Sequence, residues 1–271
     1  MPYLDSGNIK LFFQEKGKGQ IIFLIHGWSF DSSIWTNQID FLNKHWRVIA
    51  VDIAGHGLSE YKFGIDLCDG LLLLIKRYGY RDIIILGHSF GGVIALKLVL
   101  RNPELFNRLI LVNTSPKFNN DQNFKLGLDG KDINKMKFFL QHNYPKILVV
   151  FYRWLFTENE RRMSCFRKNW DIIVDRKHWP DRQALSDFLL MIEQTDLTAN
   201  IEKIKIPTLI IYSKNDPICS KEAANYMHLK IPNSYLKVFD GGHLPFLMYR
   251  EDFNQTLNNF LVNSNEPEFA K

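Results

Sequence analysis

Four apolar residues, Ile83–Leu86, run directly into Gly87-His88-Ser89-Phe90-Gly91-Gly92 and then into the apolar stretch Val93–Leu100. A β-run, a glycine-flanked serine and a helix-forming run in immediate succession leave few ways for the chain to turn. The serine must sit on a very tight strand-to-helix corner, and side chains beside it would collide with the strand and helix, so glycine is required there. Further along, Leu109–Val112 and Thr208–Tyr212 are apolar on both faces, as parallel strands covered by helices must be.

The rest of the chain supports such a sheet. Ile9–Gln14, Ile21–Ile25, Arg47–Asp52, Asp82–Leu86, Leu109–Val112, Thr208–Tyr212 and Tyr235–Phe239 read as strands. Ile34–Asn43, Leu67–Tyr78, Gly91–Arg101, Lys221–Leu229 and Arg250–Val262 carry helical spacing. This alternation predicts an α/β fold, with a mostly parallel central sheet and helices on both faces. Pro116–Asn200 interrupts it. That span is helical, rich in bulky aromatics (Phe138, Phe139, Tyr144, Phe151, Tyr152, Trp154, Phe156, Trp170, Trp179) and without a convincing strand. We expect residues 1–115 and 201–263 to form the core and 116–200 a helical cap over the sheet edge. Some of its aromatics would line a pocket and most would pack as core. Residues 264–271 read as a polar, frayed tail.

Composition narrows the functional classes. The chain has 271 residues, 46% of them hydrophobic, which fits an ordinary globular protein. Cys68, Cys165 and Cys219 are odd in number and widely spaced, which argues against a disulfide framework or a structural zinc site and fits a reducing cytoplasm. The N-terminus lacks the pattern of a secretory signal, and no apolar run approaches the ~20 residues of a membrane span. We therefore expect a soluble cytoplasmic monomer. The net charge is +5, and residues 131–177 alone hold eleven Lys/Arg against five Asp/Glu. That excess is either a solvated helical face or a docking surface for an acidic partner. Nucleic acid is a poor candidate for that partner, since no zinc finger, RNP-like aromatic motif or Gly-rich basic tail is present.

A serine hydroxyl is a weak nucleophile without a base, so Ser89 predicts a histidine and an orienting carboxylate at later strand ends. His243, in Gly241-Gly242-His243, follows the last predicted strand. His45, His142, His178 and His228 lie in helix or cap segments, His56 belongs to a Gly-His-Gly loop, and His88 points away from the corner as a supporting residue. Asp216 follows Thr208–Tyr212 in Ser213-Lys214-Asn215-Asp216-Pro217. The other acid position, after Leu109–Val112, holds Asn113 and Thr114, and Asp240 is only three residues from His243. The oxyanion formed on attack needs two amide donors. We assign them to Phe90, which follows the nucleophile, and to Trp28 in His26-Gly27-Trp28. The same two residues are the candidate substrate-binding positions. No metal or cofactor is required.

His26-Gly27-Trp28, Asp52-Ile53-Ala54-Gly55-His56-Gly57-Leu58-Ser59, the Ser89 corner, Asp216 and His243 together resemble the α/β-hydrolase superfamily over residues 9–262. That resemblance implies a Ser-His-Asp hydrolase, with Asp52–Ser59 a structural loop beside the site. Asn113-Thr114-Ser115-Pro116-Lys117-Phe118, Thr195-Asp196-Leu197 before Ile206-Pro207, and Gly242-His243-Leu244-Pro245-Phe246 look like the pimeloyl-[acyl-carrier protein] methyl ester esterases of biotin synthesis. One position departs: better-known members carry Trp where this chain has His88. The resemblance implies a carrier-linked or small ester as substrate and the acidic acyl carrier protein as partner. It points to Arg153, Arg161, Arg162, Arg167 and Lys168 as the docking cations. The same triad could also serve a general small-ester carboxylesterase or a carbon–carbon hydrolase of aromatic ring-fission products. A serine nucleophile argues against the haloalkane and epoxide hydrolases of this fold, and an intact triad against a non-catalytic binding protein.

Overall fold

A computed structural model describes residues 3–5, 10–64, 66–175 and 178–262; the predicted tail at 264–271 lies outside them. Among the described residues one sheet contains β1 (Tyr3–Asp5), β2 (Lys10–Lys16), β3 (Ile21–Ile25), β4 (Arg47–Val51), β5 (Ile83–His88), β6 (Phe106–Val112), β7 (Thr208–Ser213) and β8 (Ser234–Phe239). Its strand order is β1-β2-β4-β3-β5-β6-β7-β8. β1 and β2 pair antiparallel, as do β2 and β4, and every later pairing is parallel. The α/β architecture expected from the alternating pattern is therefore present. β1 was not anticipated, and β6 begins three residues earlier than its apolar run, at Phe106.

The helices of the sheet layer are α1 (Thr36–Leu42), α2 (Leu67–Arg77) and α3 (Phe90–Arg101). Between β6 and β7 come α4 (Gly130–Asn143), α5 (Lys146–Trp154), α6 (Glu158–Arg162), α7 (Phe166–Val174) and α8 (Arg182–Gln194). After β7 follow α9 (Lys221–Lys230), α10 (Pro245–Met248) and α11 (Arg250–Val262). The predicted helix over Ile34–Asn43 divides into a 3-10 turn, Ser32–Trp35, and α1. Asp31 starts that turn by accepting the Ser33 amide. No helix of the described residues is long and apolar enough to cross a membrane.

Chain order and spatial order diverge at β3. The chain leaves β3 for β4 on one side and then for β5 on the other, which opens a crevice beyond the carboxyl ends of these strands. Register brings those ends level, with Ile25 beside Gly87, His88 beside Val112, Val112 beside Ile211, and Ser213 beside Phe239. The residues that follow β3, β5, β6, β7 and β8 consequently meet at one edge.

The α4–α8 segment lies against that edge and is closed at its base. Leu197 donates its amide to Pro116, and Lys117 forms an ion pair with Asp196 at 2.7 Å and a second with Asp121. Tyr152 anchors the segment from within: it is fully buried, its ring stacks on Phe30 at 5.2 Å, and its hydroxyl donates to the Ser29 carbonyl at 2.7 Å. Burying such an aromatic contributes roughly 1.5–3 kcal/mol, and the hydroxyl is hydrogen-bonded rather than stranded.

Candidate active site

Ser89 occupies the corner between β5 and α3 with φ 53° and ψ −120°, a backbone conformation that L-residues rarely adopt. Such a conformation costs about 1–3 kcal/mol and persists only where the surroundings enforce it. Here the Ser89 amide donates to the Val112 carbonyl at 2.9 Å, and the Ser89 carbonyl accepts from Thr114 Oγ1 at 2.7 Å. The flanking glycines are required by close approach. A Cβ on Gly87 would lie 2.3 Å from the Gly91 carbonyl oxygen, and one on Gly91 would lie 2.4 Å from that of Ile25.

His243 and Asp216 arrive from the loops after β8 and β7. His243 Nδ1 lies 2.9 and 2.8 Å from the two carboxylate oxygens of Asp216. An ionised carboxylate only accepts, so Nδ1 carries the proton and Nε2 is left basic. The loop after β7 fixes the carboxylate through the amides of Ile218 and Cys219, at 2.8 and 3.1 Å. Ser89 and His243 line one cavity. The predicted serine, histidine and aspartate are thus brought to one place, although 154 residues separate the first from the second in the chain.

Phe90 and Trp28 occupy different surroundings. Phe90 begins α3, so its amide is one of those no helical carbonyl satisfies. Its ring is fully buried against Phe188 and does not line the cavity, which leaves the amide as its route to a substrate. Trp28 lines the cavity with its ring, and its indole N–H donates to the Leu185 carbonyl of α8 at 3.0 Å. Gly27 lets this loop press on the corner, since a Cβ there would lie 2.9 Å from His88 Nδ1 and 3.2 Å from Ser89 Cβ.

The cavity is otherwise apolar. Phe30, Phe118, Leu128, Ile133, Met136, Phe151, Trp154, Leu189, Ile192 and Ile218 surround Ser89 and His243, with Asp132 the one carboxylate among them. Leu128, Asp132, Met136, Phe151 and Trp154 are shared with a wider groove between α4 and α5, whose outer wall adds Lys135, Phe139, Asn143 and Lys146. Of the nine cap aromatics, Phe139, Phe151 and Trp154 face this space, while Tyr152 and Phe156 are core.

The five expected docking cations line neither cavity. Arg153 and Lys168 are exposed, Arg162 pairs with Glu158 and Arg167 with Asp171. Arg161 is half-buried and donates to the carbonyls of Arg153 and Phe156, a structural use of its guanidinium.

The sequence marks His88 as a supporting residue without showing its partner, and it leaves Asn113 and two groove cations unassigned. His88 is fully buried, and its Nε2 donates to the His243 carbonyl at 3.0 Å. Burial, with His243 close by, holds its pKa well below the ordinary histidine range, so the ring is neutral. Asn113, with φ 43°, accepts the Ser213 amide and donates to Ser213 Oγ and to the Gly242 carbonyl. Its position at a strand end and the tolerance of Asn for positive φ were the available signals. Lys135 and Lys146 were counted only within the basic excess. Asp216, Cys219 and His243 each place one ligand atom within 4.8 Å of the others. Burial pushes the Cys219 thiol well above its usual range, and its proton is given to the Asn113 carbonyl, so these three form a hydrogen-bonded cluster rather than a thiolate centre.

The family described as alpha/beta hydrolase fold matches residues 20–248. A pimeloyl-[acyl-carrier protein] methyl ester esterase of Aliivibrio fischeri is 28% identical over 257 residues, covering 93% of this chain and 97% of that protein. An esterase from Exiguobacterium antarcticum superposes with a TM-score of 0.86 at 26% identity, covering 94% of this chain and 97% of the other. An enol-lactonase from Burkholderia xenovorans has a TM-score of 0.85 at 22% identity, over 97% of this chain and 100% of that one, and shares the fold.

Proposed function

The chain belongs to the alpha/beta hydrolase family and hydrolyses carboxylic esters, and we propose that its substrate is the methyl ester of pimeloyl-acyl carrier protein, cleaved during biotin synthesis. The observation that carries the reading is His243, paired with Asp216 at 2.8 Å, facing one apolar cavity together with Ser89. The similarity to esterases of that name over nearly the whole chain supplies the substrate.

In the proposed reaction Ser89 Oγ attacks the ester carbonyl while His243 Nε2 takes its proton. Asp216 holds the imidazole in the tautomer that leaves Nε2 basic and stabilises the imidazolium once formed. The amides of Trp28 and Phe90 receive the oxyanion, each such donor contributing about 3 kcal/mol to the transition state. Collapse expels methanol with the proton from His243. Water, deprotonated by the same histidine, then attacks the acyl-enzyme and releases the free acid.

Residues 116–200 act as a cap whose apolar inner wall suits an extended acyl chain. Carrier-linked substrate would enter through the α4–α5 groove, with the acidic carrier drawn by the cap cations. Arg153, Arg162, Arg167 and Lys168 are exposed candidates for that contact, and Lys135 and Lys146 stand at the groove itself.

The test is a comparison of kcat/KM on carrier-linked pimeloyl methyl ester, free p-nitrophenyl esters and a ring-fission diketone. The carrier-linked ester is expected to be hydrolysed most efficiently. Faster cleavage of the diketone would replace this reading with carbon–carbon hydrolysis, and equal rates on free and carried esters would reduce it to a general carboxylesterase.

A further inference from the structure

Two consecutive residues, Gly242 and His243, present four backbone polar atoms, and each has a partner. The Gly242 carbonyl accepts from Asn113 at 3.2 Å and the His243 carbonyl from His88 at 3.0 Å, both partners belonging to the sheet edge. The two amides point the other way, into the cap. His243 N–H donates to the Leu155 carbonyl at 2.8 Å, and Gly242 N–H lies 3.1 Å from both carboxylate oxygens of Glu160. Glu160 is completely buried, and its Oε2 also accepts the Thr157 amide at 2.7 Å.

Gly241 and Gly242 themselves testify to this contact. Neither has a positive φ, so the turn does not require glycine. A Cβ on Gly241 would lie 2.4 Å from Tyr249 Cε2 and 2.6 Å from Glu160 Oε1, and one on Gly242 would lie 2.3 Å from the Leu155 carbonyl oxygen and 2.9 Å from Glu160 Oε2. Gly242 is small because the cap is there, and Gly241 because it is wedged between the Tyr249 ring and Glu160. A buried carboxylate is costly unless fully hydrogen-bonded; desolvation raises the Glu160 pKa, while the Thr157 and Gly242 amides act against that rise.

We propose that Glu160 is a positioning residue for His243: the cap segment Leu155–Glu160 holds the backbone of the histidine in register with Ser89 and Asp216. The inference rests on His243 being the general base. It makes the cap part of the catalytic machinery's support and not only a wall of the pocket. It also requires this segment to stay docked while substrate enters between α4 and α5.

The test uses the full chain with Glu160→Ala and Glu160→Gln, a free p-nitrophenyl ester, and Ser89→Ala as control. Displacing a reacting group by ~1 Å costs about a hundredfold in rate, so Glu160→Ala is expected to lower kcat by about that factor with KM within about twofold. Glu160→Gln keeps the volume and one acceptor and is expected to fall between, at about tenfold. Fluorophosphonate labelling of Ser89 should slow in parallel, and the downfield proton resonance shared by His243 and Asp216 should shift or broaden. A wild-type kcat in a folded Glu160 variant would overturn the proposal, as would a lowered kcat with unchanged labelling and an unchanged resonance. Should Glu160→Ala not fold, the isosteric Gln variant decides by the same readouts. If Ser89→Ala hydrolysed normally, the triad itself would fail; if only the Glu160 variants behaved as wild type, the clamp alone would.

Discussion

At the sheet edge, β5 and β7 are buried from end to end, whereas α4 and α5 of the cap bury only Ile133 and Leu140, and Leu148 and Tyr152. The first region carries the candidate reacting groups just past the ends of parallel, fully buried strands. The second contributes half-buried aromatics and exposed cations. A reaction needs its groups held within a fraction of an ångström, and close-packed strands supply that rigidity. Recognition of a long or carried substrate needs a surface that can yield. The Leu155–Glu160 segment is the exception, since it belongs to the cap by sequence and to the histidine loop by contact.

This contrast can be broken most forcefully at Ser89. Ser89→Ala is expected to reduce ester hydrolysis by at least about 10⁴-fold and to abolish fluorophosphonate labelling, with the fold retained. Residual turnover near the wild-type rate, or continued labelling, would remove the chemistry from the sheet edge.

A second test asks what buried charge costs in the core. Asp52 is buried and accepts the amides of Ser32 and Leu58 at 2.7 and 2.9 Å, yet burial, reinforced by Asp31, raises its pKa from 3.8 to about 6. Between those values the folded chain binds the proton more tightly than the unfolded chain. Stability from this group therefore falls as pH rises from about 4 to 6, by roughly 3 kcal/mol over the window. Urea unfolding of wild type and Asp52→Asn across pH 4–7 should show the wild type losing ground by that order. A constant difference between the two would mean that Asp52 is ionised throughout.

The smallest expected effect concerns charge on the cap. Reversing Lys135 and Lys146 to Glu should lower kcat/KM for a carrier-linked ester by about tenfold at low salt, with the gap closing as ionic strength rises. A free ester should change by less than about twofold. The same reversal at Arg167 and Lys168 gives the comparison. Whichever pair has the larger effect marks the face the carrier meets, and equal loss on free and carried esters would argue against carrier docking by either.

Much of the site was legible because its determinants are local. The strand–serine–helix corner follows from sterics within six residues, Gly87–Gly92, and Asp216 and His243 each sit just past an apolar strand. Cap contacts were not legible in the same way. Glu160 forms a capping box with Thr157 at the start of α6. Nothing local shows that its carboxylate also meets Gly242, 82 residues away. Arg161 likewise reads as a surface cation and proves to be a donor to two carbonyls of its own cap.

By itself the sequence determined the alternation that builds a parallel sheet, the tight corner at Ser89 and the order serine, aspartate, histidine, because strand period, glycine sterics and proton chemistry act over a few residues. Only the tertiary structure decided which cap side chains face the cavity, that Phe90 points its ring away from it, and that the backbone of Gly242 and His243 is held by Asn113, Glu160, His88 and Leu155. Those outcomes depend on how separately formed elements pack and on which buried polar atoms then find partners. Contacts of that kind, 82 to 155 residues apart for Glu160 and His88, leave no periodic trace in the chain.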